Sequence, residues 1–141
     1  MVNVEHFHRT MENVSRETLD MRHWAIVQGT EMPDRLPPCG TTMCLAGTAV
    51  VTAGIGLQWE PHETEERLNS DGEWEDVVTA WKADYTEDGD DIETKGAELL
   101  GLDEVTANDL FHLTDIQNDV DELWEAVEEY TDGEVRRPVS V

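Results

Sequence analysis

Cys39 and Cys44, both inside the run CGTTMCLAGTAVVTAG at 39–54, are the side chains whose type and spacing could do chemistry. A thiol in the first turn of a helix sees the positive end of the helix dipole and ionises more readily. With His23 upstream or His112 downstream as its base, Cys44 would be the nucleophile of a cysteine-dependent hydrolase or transferase. No known protease or transferase setting surrounds these three residues. A cysteine between Met43 and Leu45 also fits a small buried apolar side chain, and that structural reading is favoured.

Metal chemistry has less support. Four residues separate Cys39 from Cys44, the permissive limit for a paired-ligand knuckle, and there is no second cysteine pair. His6, His8, His23, His62 and His112 would have to complete a zinc site from scattered places. Asp88, Asp90 and Asp91 resemble a calcium loop only in part: a loop starting at Asp88 would place Leu99 where the bidentate glutamate belongs. The AGIGL stretch lacks the third glycine and the lysine of a phosphate cradle. The expectation is no catalytic residue, no metal and no cofactor.

Charge says more. The chain has 141 residues and a net charge of −24, unevenly placed. Residues 1–57 carry six acids and four bases, whereas residues 58–141 carry twenty-seven acids and five bases. Such a surface repels phosphates and anionic lipids, so direct nucleic-acid or membrane binding is disfavoured and a protein with a basic surface is the natural complement. Plain solvation, as suits a high-salt host, accounts for the same composition. Trp59 and Trp74, set among acids, are candidate partner anchors, together with Glu87, Asp88, Asp90 and Asp91.

The elements that must position these residues read as mainly helical: one small bundle over residues 1–135, with a loose tail at 136–141. Val4, Phe7, Met11 and Val14 share one face of a first helix, and Ser15 to Gly29 continues as helix. Three prolines make TEMPDRLPPCG a loop. A central helix over about 42–54, capped by Thr41 or Thr42, has no charged face and is therefore buried. Gly47 in its interior suggests close approach of a neighbour, and Cys39, Cys44, Gly47, Ala49, Leu110 and Phe111 are the expected core. Residues 57–91 form either a β-hairpin around Asp71-Gly72 or an irregular excursion. A helix from Ile92 to Leu100 closes at Gly101; Asp103 caps the next, with Val105, Leu110 and Phe111 inward. The last starts at Thr114 or Asp115, its apolar stripe running from Ile116 to Tyr130.

No segment reads as an export signal or membrane span, so a soluble protein is expected, with reduced thiols or, as the alternative, a short-range Cys39–Cys44 disulfide. The CGTTMCLAG block, preceded by LDMRHW at 19–24 and followed by AELLGL at 97–102 and Leu110-Phe111, resembles a scattered group of small proteins encoded by tailed bacteriophages. The likeness runs from Leu19 to Phe111. It implies a phage accessory role in the host cytoplasm and assigns no catalytic residue. The leading expectation is a non-enzymatic protein that binds a host protein through its acidic surface. The alternatives are an acidic DNA mimic that blocks a nucleic-acid-binding protein, and an enzyme built on Cys44 with His23 or His112.

Overall fold

The computed structural model describes residues 2–33 and 41–137. Cys39 and the Pro37-Pro38 pair fall outside them. The fold is mixed α/β, which overturns the expected mainly α bundle. Among the described residues there are five α-helices and one four-stranded antiparallel sheet. In chain order the elements are α1 (Val4–Glu12), β1 (Ala25–Gln28), β2 (Thr42–Met43), α2 (Leu45–Thr52), β3 (Leu57–Leu68), β4 (Trp74–Thr86), α3 (Ile92–Leu100), α4 (Glu104–Phe111), a 3-10 turn (Thr114–Ile116) and α5 (Val120–Tyr130). The sheet order is β2-β1-β4-β3.

Helix α2 is the pivot. It is shorter than expected: Thr42 is paired in β2 instead of capping, and Cys44 is the N-cap residue without a side-chain capping bond. Leu45 through Val50 are all buried, including Thr48, whose hydroxyl donates to the Cys44 carbonyl at 2.9 Å. Two glycines permit this density. A methyl group added at Gly47 would lie 2.0 Å from the Trp24 carbonyl oxygen, and one at Gly96 of α3 would lie 3.0 Å from the Ala46 backbone. Helix α1 closes the other side, where buried His6 carries its proton on Nε2 and donates it to the Ala49 carbonyl at 2.9 Å. One contiguous core runs from Phe7 to Val135, with Leu45, Leu100, Leu110, Leu123 and Val127 fully enclosed. Each such side chain contributes about 2 kcal/mol by leaving water.

Three further expectations are corrected. Residues 15–24 are not helical: they form turns tied to the start of α2, with Met43 N donating to the Thr18 carbonyl (2.8 Å) and Cys44 N to the His23 carbonyl (2.9 Å). The apolar residues that follow enter the sheet as β1, with Val27 opposite Trp81. Val105 is 72 % exposed, because the inner face of α4 is Ala107, Leu110 and Phe111. Finally, α5 begins at Val120, capped by Asp119, whose carboxylate accepts from Glu122 N, and the residues from Thr114 form only a 3-10 turn. At the last described residue, the Arg137 backbone N–H donates to Glu128 and its guanidinium pairs with Asp121.

Candidate functional site: an acidic ribbon beyond the sheet

Cys44 is 1 % exposed. Burial pushes its thiol up to about 12, against the smaller downward pull of backbone N–H groups at Gly47 and Ala46. Its Sγ–H donates weakly to the Trp24 carbonyl, at 4.0 Å. Neither candidate base reaches it. His112 pairs with Glu93 at 3.2 Å and meets the Trp24 ring edge-on, with centroids 5.5 Å apart. A buried neutral thiol with no adjacent base is a packing group. Cys44, Ala49, Leu110 and Phe111 are all buried members of one core cluster.

His23 has a different partner, one that the sequence reading passes over. Its Nδ1 lies 3.0 Å from Asp20, which as an ionised carboxylate can only accept, so Nδ1 carries the proton. Burial works to raise the Asp20 carboxyl. Hydrogen bonds from Arg22 and His23, with the Arg22 charge, together hold it below its ordinary value. The His62 ring stands edge-on to His23 with centroids 5.9 Å apart, and both line a cleft of about 390 Å³ together with Ile26 to Gln28 of β1 and Glu63 of β3. The Asp-x-x-His spacing at 20–23 was the available signal. Among the described residues no three metal-binding side chains converge here or elsewhere.

The expected partner residues do not form one patch. Trp59 is half-buried and packs against the core. Glu87 is anchored by reciprocal bonds with Gly56, and Asp91 caps α3 through Thr94 N at 2.6 Å. Asp88 and Asp90 remain exposed in the turn between β4 and α3. Trp74 lies at the opposite end of the thirteen-residue β4. An extended strand of that length spans about 40 Å, so Trp74 and the Asp88–Asp90 turn cannot contact one small epitope together.

Around Trp74 the structure builds a surface of its own. β1 reaches β4 only as far as Ala80, with one more bond from Gly29 N to the Thr79 carbonyl. Beyond that point residues 64–68 and 74–78 pair only with each other, as a two-stranded ribbon. The turn at its tip is held by Asn69, whose side chain accepts from Asp71 N and Glu73 N, and by Gly72 at φ +79°. Glu60 through Leu68 are all exposed. Residues 63–76 carry seven carboxylates against a single arginine.

Pleat and register sort this charge into two faces. One face carries Arg67 opposite Glu75 and Glu65 opposite Val77, and Arg67 pairs with Glu65 at 3.2 Å. The other carries Leu68 opposite Trp74, Glu66 opposite Asp76 and Thr64 opposite Val78. Leu68 and Trp74 are 59 % and 69 % exposed. The Glu66 and Asp76 carboxylates have no hydrogen-bond or ion-pair partner among the described residues. Leu68 was also missed from sequence, although it flanks the Asp71-Gly72 turn as Trp74 does.

No protein-family model, curated protein or solved structure matches the chain. Among the described residues no helix is long and apolar enough to cross a membrane.

Proposed function

We propose that this is a non-enzymatic accessory protein, of the tailed-phage kind its motif block resembles, that acts in the host cytoplasm by binding a host protein with a basic surface. The observation that carries the reading is the ribbon. A two-stranded extension without a third strand or a helix beneath it adds little to folding stability. This one exposes a tryptophan and a leucine among seven acids. Exposed aromatic anchors within a field of one sign are the make-up of an interaction surface: the charge steers the encounter and the aromatic group holds the complex.

The test is kinetic. The partner is captured from host lysate with the full chain, and its association rate is measured as salt rises. Converting Glu63, Glu65, Glu66, Glu73, Glu75 and Asp76 to amides should slow association about tenfold at low salt, with dissociation changing less. Amides at Asp88 and Asp90, at the far end of β4, should change it less than about twofold. An association rate insensitive to salt, or equally sensitive to both sets, overturns the reading. Competition by duplex DNA for the same surface would sharpen it to mimicry of a nucleic acid.

A further inference from the structure

The register of the ribbon places two carboxylates in direct opposition. Residues opposite each other on one face of an antiparallel pair have Cβ atoms about 4.5–5.5 Å apart, and like charges there repel. Glu66 and Asp76 are such a pair, while Arg67, the one cation of the ribbon, is engaged with Glu65 on the other face. The pair is bordered by the exposed Trp74 and Leu68 on one side and by Val78 on the other. Resting on the reading above, we infer that this face clamps one arginine side chain of a protein partner. Its guanidinium lies between the Glu66 and Asp76 carboxylates, and its flat face or stem lies against Trp74.

Arginine fits better than lysine. Two opposed carboxylates offer four acceptor oxygens, which a planar five-donor guanidinium can satisfy at once and an ammonium cannot. Trp74 lies two residues from Asp76 on the same strand and diagonally across from Glu66 on the same face, within reach for a cation–π contact. A divalent ion fits poorly, because two exposed carboxylates fall far short of the six to eight oxygens calcium takes. The arginine also relieves the repulsion that the free ribbon carries.

The experiment uses the full chain and two labelled peptides, one alternating arginine and valine and the other alternating lysine and valine, titrated by fluorescence anisotropy at physiological salt. The arginine peptide should bind about fivefold more tightly than the lysine peptide, and Glu66→Gln with Asp76→Asn should erase that preference and weaken binding about tenfold. Glu65→Gln with Glu75→Gln removes the same charge from the other face and should cost about twofold through the general field. Trp74→Ala should weaken the arginine peptide about fivefold. Equal losses from the two ribbon faces, with no arginine preference, overturn the clamp while leaving the ribbon as the binding surface. Equal losses from the ribbon variants and from Asp88→Asn with Asp90→Asn overturn the proposed function as well. Unchanged denaturation midpoints confirm that each variant is folded.

Discussion

Helix α2 and the β3–β4 ribbon are opposite solutions to where a chain puts its charge. From Leu45 to Val50 the helix carries no ionisable group and no exposed residue, and its neighbours approach to the limit that glycine allows. From Glu60 to Asp76 the ribbon exposes nearly everything and touches mainly itself. The core helix tolerates change in proportion to free space, of which it has none. The ribbon is constrained by register and turn geometry, and its side chains are free to serve another molecule. Stability and function should therefore separate by region.

The sharpest break would come from a single methyl group. Gly47→Ala places a carbon on the Trp24 carbonyl and should lower the unfolding free energy by about 3 kcal/mol or more. Gly72→Ala at the ribbon tip meets open space and suffers only from its left-handed backbone, about 1 kcal/mol. Denaturant midpoints that rank the two the other way would place the fold's centre elsewhere.

The buried thiol gives a pH test of the same contrast. Its pKa is raised in the folded state to about 12, so the stability linked to it is complete below the thiol's ordinary value and is lost as pH rises toward 12. In that window the unfolded chain releases a proton that the folded chain keeps. Stability should fall by roughly 1 kcal/mol per pH unit from about pH 9. Cys44→Ala should lower stability at neutral pH through lost packing and flatten the alkaline slope relative to wild type. Parallel pH profiles for the two proteins would show that the thiol is not held neutral by burial.

The smallest expected effect is at the aromatic tip. Trp74→Ala should shift the unfolding free energy by less than about 0.5 kcal/mol, whereas Trp124→Ala, in the core, should cost about 3 kcal/mol. A large loss at Trp74 would mean that the ribbon is part of the folding unit.

The same two regions show what was legible in the sequence. Burial of α2 follows from the lack of a charged face, and α3 runs from Ile92 to a left-handed Gly101 where the cap residues place it, because caps are local signals. The β3–β4 hairpin was legible at its Asp71-Gly72 turn, as one of two readings of 57–91, but the rest of the sheet was not. β1 is four residues long and is defined by pairing with β4 more than fifty positions away, so no local periodicity marks it. β3 contains Pro61 and four glutamates, residue types depleted in strands, and register shifts near Gln58, Pro61 and Glu63 break the two-residue alternation. Val105 entered the expected core on residue type alone; the helix period that selects Ala107, Leu110 and Phe111 leaves it outside. For the candidate site, Trp74 was visible as an aromatic among acids. Its partners Leu68, Glu66 and Asp76 became apparent only with the pairing register.

The long outer margin of β3 has a consequence for how copies of this protein behave toward one another. It is the last strand of the sheet, and its backbone groups on that side meet no other strand among the described residues. Such a margin is a template for another strand, and here Pro61 and the row Glu60, Glu63, Glu65 and Glu66 are what guard it. Proline removes one donor permanently, but the repulsion between glutamates reaches only as far as counterions allow. Dispersal of this protein is therefore a colloidal property set by charge and counterions: as added salt screens the row, margin-to-margin stacking of β3 strands becomes its intrinsic route to precipitation.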